Sequence, residues 1–253
     1  MDQDSGPLFI IIQKRGDKMR KNPGKRLIVL SLGGSIICPD EIDIKFLAKF
    51  RQFILNRIRK RKERFIIVTG GGKTARQYIN AAKKLGCKDN VDNDKIGIRA
   101  TMINSELVRA VFNVKEDALS EIRPDYDRKT RFKNLLFASG FKAGWSSDFD
   151  SVKYAANYNS DIVVNLSNIS MAYTKDPRKC KTAKPIKDIK WKYFRRNVVG
   201  YRWIPGLNVP FDPIASGLAE KHRINVVVLK GNDLANLGRF LDGKKFIGTY
   251  IHS

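Results

Sequence analysis

Histidine is scarce: His222 and His252 are the only two in 253 residues. A zinc centre built on several imidazoles, or a serine–histidine–aspartate triad, is therefore not expected. Cysteine is scarce as well, and Cys38, Cys87 and Cys180 lie too far apart in sequence to form a metal-ligand pair. An odd, scattered set of thiols fits a reducing cytoplasm better than a disulfide framework. Long apolar runs are missing. The longest near the N-terminus, residues 8–12, follows acidic residues and has no signal-peptide layout; it is far short of the ~20 residues that span a bilayer. A soluble, cytoplasmic protein with no membrane partner is expected.

Negative charge is also in short supply. Lys and Arg total 49 against 25 acidic residues, a net charge of +24. Such an excess attracts nucleotides, RNA, DNA or anionic lipid surfaces, although a simply basic surface reads the same way. Three basic runs stand out, at residues 14–26, Arg57–Arg64 and Arg178–Arg196. Each alone reads as a solvated face; together they add nonspecific nucleic-acid contact to the expected partners. A hydrophobic content of 42% with 10% aromatics is that of a globular chain, able to bury a substantial core.

The chain divides into a basic N-terminal extension, residues 1–26, and one domain, residues 27–253. Within the extension, residues 10–12 suit either an added edge strand or a flexible tail. From Leu27 onward, short β-branched runs alternate with helical patterns, which predicts a mostly parallel sheet with crossover helices. Strands are expected at Leu27–Leu30, Phe65–Val68, Leu135–Phe137, Ile162–Val164 and Ile224–Leu229, with an edge strand at Phe246–Ile251. Helical spacing aligns Leu47, Phe50, Ile54 and Ile58. It also predicts a helix near 74–85 turning Tyr78, Ile79, Ala82 and Leu85 inward, and another near 97–112 using Ala100, Ile103, Leu107 and Val111.

Two of the strands run into glycine clusters, Gly33-Gly34 and Gly70-Gly71-Gly72, each followed by a helix. Glycines let backbone N–H groups approach anionic oxygens, and the helix that follows presents its positive end. Gly72-Lys73-Thr74 suggests a nucleoside-triphosphate P-loop, but that pattern needs a glycine where Ile67 stands. Gly70, Gly72 and Ala75 also meet the dinucleotide-binding spacing, with Asp89 or Asp92 downstream, so a dehydrogenase stays open on spacing alone.

Six motifs in order narrow the choice: Ser31-Leu-Gly-Gly-Ser35; Thr69-Gly-Gly-Gly-Lys-Thr-Ala-Arg-Gln-Tyr78; Asp94-Lys-Ile-Gly97 with Thr101 and Asn104; GFKAGWSSD at residues 140–148; Ala172-Tyr-Thr-Lys-Asp-Pro177; and Phe211-Asp-Pro-Ile-Ala215. Together they resemble the amino acid kinase superfamily, and within it the archaeal type of uridylate kinase, from Leu27 to Ile251. The resemblance implies a three-layer αβα sandwich with a mostly parallel central sheet. It implies an enzyme that transfers the γ-phosphoryl group of Mg-ATP to UMP, giving UDP in pyrimidine nucleotide biosynthesis. Mg2+ would come with ATP rather than in a metal site of the protein, and the assembly would be a homo-oligomer, commonly a hexamer.

Carried over by motif, Ser31, Gly33, Gly34, Ser35, Gly72 and Arg76 would bind the ATP phosphates, and Ser167, Tyr173 and Asp176 its nucleoside. Gly71, Asp94, Phe141, Gly144, Ser146 and Ser147 would hold UMP. Asp148 would orient the charged groups or the metal shell. Many relatives carry a lysine where Ser31 stands, so Lys73 or Lys142 is the candidate replacement for its charge. Ser170-Met171, Ala143 and Gly206-Leu207-Asn208 also depart from the family pattern. On residues alone, Asp148 reads equally as a helix cap, Asp176 and Asp212 as turn formers before proline, and Arg76 as one more surface cation. A sister kinase of the same fold, or a degenerate kinase fold that binds RNA or DNA, are the alternative functions.

Overall fold

The computed structural model describes residues 25–113, 118–121, 129–202 and 209–253. The extension, the segment of residues 10–12 within it and the Gly206-Leu207-Asn208 turn lie outside the described residues. The strands are β1 (Leu27–Leu32), β2 (Arg64–Thr69), β3 (Ala118–Glu121), β4 (Leu135–Ala138), β5 (Ile162–Ser167), β6 (Ala172–Tyr173), β7 (Pro185–Ile186), β8 (Asp188–Lys190), β9 (Asn225–Lys230) and β10 (Thr249–His252). The helices are α1 (Gly34–Ile37), α2 (Ile44–Arg61), α3 (Gly72–Lys84), α4 (Asn90–Phe112), α5 (Ser147–Tyr158), α6 (Trp191–Phe194), α7 (Pro213–His222) and α8 (Leu234–Leu241), with a π-helical turn at Arg195–Val199.

Eight strands form one sheet in the order β3-β4-β2-β1-β5-β9-β10-β8. Pairing is parallel except between β9 and β10. The central strands are continuous apolar runs because both of their faces are covered. Their period of two sorts side chains into two cores. Ile28, Leu30, Leu32, Phe65, Ile67, Val164 and Leu229 pack under α2, α4 and α8. Val29, Ile66, Val68, Val163, Val226 and Val228 pack under α5, α6 and α7. The three-layer αβα sandwich expected from the sequence is the architecture observed.

Three expectations are corrected. Helix α3 rests on α1 and α4 rather than on the sheet, so Ala75 is its one buried residue, while Tyr78 and Leu85 are exposed. Helix α4 begins well before Gly97, because Asp89 caps it by accepting from Val91 N–H at 2.8 Å; Ile103 on it is exposed. The last strand is not an edge: β8 pairs with β10 on its outer side. On α2, Arg57 is buried and donates to both Glu63 oxygens at 2.7 Å and to Asp242 at 2.6 Å, tying α2 to the start of β2 and the end of α8.

Candidate functional site

Strand β1 pairs with β2 at Leu32↔Thr69 and with β5 at Leu32↔Leu166, so three parallel strands end at one level. In open α/β sheets the crevice beyond the carboxyl ends of the strands is where ligands bind. Two hydrogen bonds pin the loops there: Gly33 N–H donates to the Leu166 carbonyl at 3.0 Å, and Gly70 N–H to the Leu32 carbonyl at 2.9 Å. The loops then touch backbone to backbone. A β-carbon on Gly34 would lie 2.4 Å from both Gly70 O and Gly72 N, and one on Gly72, whose φ is +59°, would lie 2.2 Å from Gly34 C. Only glycine at both positions permits the approach. Gly34 and Ser35 open α1, Gly71 caps α3 and Gly72 opens it, so N–H groups without helical partners gather at the junction.

Asp148 belongs to the first turn of α5 but does not cap it; Ser146 does, accepting from Phe149 N–H at 3.2 Å. Freed from capping, Asp148 accepts from Ser31 Oγ at 3.2 Å and from Asp212 N–H at 3.2 Å. Its carboxyl group is enclosed by protein although the residue keeps some exposure. Burial, then the neighbouring Asp212 carboxylate, push its pKa up to about 7, against the opposing pull of Asp212 N–H and Ser31. Burial also raises the Asp212 pKa. Ser147 completes the junction, its Oγ 3.4 Å from where a β-carbon on Gly70 would stand.

On the other side, polar residues of α4 hold the loop of residues 140–147. Asn104 Nδ2 donates to the Gly70 carbonyl at 2.8 Å, and Gly140 N–H donates to Thr101 Oγ1 at 2.8 Å. Asp94 Oδ2 accepts from Gly144 N–H at 2.7 Å, which ties residues 140–147 to α4. Phe141 stands partly exposed on this loop.

Thus Ser31, Gly33, Gly34, Ser35, Gly71, Gly72, Ser147 and Asp148 converge; Ser146 directly precedes Ser147, and Asp94 and Gly144 are tied to each other. The lysines do not join. Lys73 pairs with the exposed Asp40, whose pKa it lowers, and Lys142 lies 5.4 Å over the Trp145 ring. Arg76 is exposed on α3. Ser167 ends β5 and Tyr173 lies on β6, whereas the Asp176 carboxylate accepts from Arg178 Nε and Nη2, each at 3.0 Å. Sequence reasoning left Asp212 as a turn former. It does cap α7, accepting from Ala215 N–H at 2.7 Å, yet it also faces Asp148. The signal was an aspartate in an otherwise apolar Phe-Asp-Pro-Ile-Ala run.

Comparison with known proteins follows the same lines. The model of the amino acid kinase family matches residues 26–230. A uridylate kinase of Methanospirillum hungatei is 31% identical over 225 residues, covering 88% of this chain and 94% of its own. One from Thermoplasma volcanium is 30% identical, with 88% and 96% covered. Among solved structures, a uridylate kinase from Archaeoglobus fulgidus superposes with a TM-score of 0.73 at 25% identity, covering 88% of this chain and 99% of its own.

Proposed function

We propose the following reaction for this chain, which belongs to the amino acid kinase family: the γ-phosphoryl group of ATP passes to a phosphate oxygen of UMP, giving UDP and ADP. The observation that carries it is the backbone contact of two glycine loops at aligned strand ends, in a chain of which uridylate kinases match 88%. Phosphoryl transfer asks little covalent work of a protein; it needs two phosphates held in line and their charge stabilised.

The residues divide that work. Gly34, Ser35 and Gly72 offer N–H groups to the ATP phosphates, while Gly33, whose own N–H is spent on Leu166, lets the loop come close. Arg76 adds a charge-assisted contact to phosphate. Ser31 contributes its hydroxyl at the same place. Ser167, Tyr173 and Asp176 receive the nucleoside beyond the end of β5. Gly71 lies between donor and acceptor. Asp94 accepts from the ribose of UMP, and Phe141, Gly144, Ser146 and Ser147 wrap its phosphate end.

Asp148 orients the charged groups where the transfer takes place; for a lysine to supply the cation that Ser31 lacks, Lys73 would have to leave Asp40 or Lys142 leave the Trp145 ring. Among the described residues no three His, Cys, Asp or Glu side chains converge on a metal site. Mg2+ carried on nucleotide phosphates needs only one or two protein carboxylates, and Asp148 is the carboxylate that fits. When bound, the ion neutralises phosphate charge. The same reading makes the protein a cytoplasmic homo-oligomer, a hexamer by resemblance. Among the described residues no helix is long and apolar enough to cross a membrane.

The test is ADP release with Mg-ATP against UMP, CMP, AMP and isopentenyl phosphate. Preference for UMP is the expected outcome. Preference for another acceptor indicates a sister kinase, and no release with any acceptor overturns the assignment.

A further inference from the structure

The sheet's outer edge carries a surface that phosphoryl transfer does not use. In the segment from β8 through α6 and the π-helical turn, Trp191, Phe194 and Val199 are buried, and Trp191 Nε1 donates to the Ile224 carbonyl at 3.0 Å. Anchoring those positions turns the intervening ones outward. Lys190, Lys192, Tyr193, Arg196, Tyr201 and Arg202 are all exposed, the two tyrosines by 58% and 57%.

The acidic groups nearby are already engaged. Asp188 pairs with His252 and Glu220 with Arg195, whose guanidinium also lies 4.9 Å over the Tyr201 ring. Lys190, Lys192, Arg196 and Arg202 are exposed and form no ion pair with a carboxylate among the described residues. Cations interleaved with exposed, anchored rings are the chemistry that holds a phosphate backbone and stacks unpaired bases.

We propose that this face binds single-stranded nucleic acid, with phosphates on Lys190, Lys192 and Arg196 and bases stacked on Tyr193 and Tyr201. An anionic membrane fits less well. Among the described residues, the large exposed apolar side chains here are tyrosines, which keep a polar hydroxyl at the tip. The site is separate from the kinase reaction and does not depend on it.

The test is fluorescence anisotropy of the full chain with a labelled single-stranded RNA 15-mer, repeated with DNA of the same sequence. The triple variant Lys190→Gln, Lys192→Gln, Arg196→Gln should bind at least tenfold more weakly at 100 mM salt. Its log–log salt slope should flatten by about 2, since each contact to a single strand contributes about 0.7. Tyr193→Ala alone should weaken binding about fivefold or more, the loss expected for one stacked base. Phosphorylation of UMP should be unchanged in both.

Because the whole chain is basic, Arg59→Gln, Lys60→Gln, Lys62→Gln at the end of α2 serves as a matched control. The proposal is overturned if that control weakens binding as much, if neither test variant changes affinity, or if duplex DNA competes as well as single strands. Binding to phosphatidylserine vesicles without binding to RNA or DNA overturns it too.

Discussion

Ser31 Oγ donates to Asp148 Oδ1 at 3.2 Å, which joins the end of β1 to the first turn of α5. Asp148 holds its proton to about pH 7 in the folded chain, against an ordinary 3.8. If catalysis needs the carboxylate, kcat/KM, which reports the free enzyme, should therefore fall on the acid side with a midpoint near 7. Ser31→Ala removes a hydrogen bond that favours the charged form, so this limb should move to higher pH. Asp148→Asn should abolish the limb and lower kcat at least about tenfold, one 1.4 kcal/mol step in the barrier. A pH–rate profile of the three proteins checks all of this.

The same group sets a stability trend. The native state binds the proton that the unfolded chain has already released, so the contribution is full below about pH 4 and is lost as pH rises through about 7. Relative to wild type, Asp148→Asn should gain thermal stability near pH 8 and gain none near pH 4. Melts at the two pH values would read the difference directly.

A methyl group at Gly34 would meet the backbone of Gly70 and Gly72 at 2.4 Å. Gly34→Ala should part the two loops. The expected fall in kcat/KM is about 10²-fold, typical of an ångström of misplacement, with the αβα architecture retained by circular dichroism.

Asp94→Ala removes the carboxylate that accepts from Gly144 N–H and that is assigned to the ribose. Loss of a charged hydrogen bond worth about 1.5–3 kcal/mol should raise the KM for UMP by roughly tenfold or more. The KM for ATP should stay within about twofold. Equal effects on both substrates would argue against an acceptor role.

Arg57 is 8% exposed and is neutralised by Glu63 and Asp242. Glu63→Ala strands most of that buried charge. Unfolding in urea should show a loss of about 3 kcal/mol, the low end for a broken buried pair because Asp242 remains.

The sheet was legible because β1, β2, β4, β5 and β9 are covered on both faces and so read as unbroken apolar runs. Helix faces were less so. Tyr78 and Leu85 keep a helical spacing that suggests burial, but α3 lies on another helix and leaves them in solvent. Gly97 suggested a helix start, yet the Asp89 cap upstream carries α4 straight through it. The glycine clusters announced an anion site, while their mutual contact is a tertiary fact that no spacing encodes. Asp212 escaped notice as a partner of Asp148 because 64 residues separate them.

Gly34 and Gly72 each occupy the space that a side chain on the other would need. Neither position can drift alone, and even a paired change would leave two bulky groups with no room between the strands. Any route by which this framework acquires a different reaction must therefore leave the floor of the crevice untouched and rebuild its walls, chiefly the loop of residues 140–147 and the segment that follows β5.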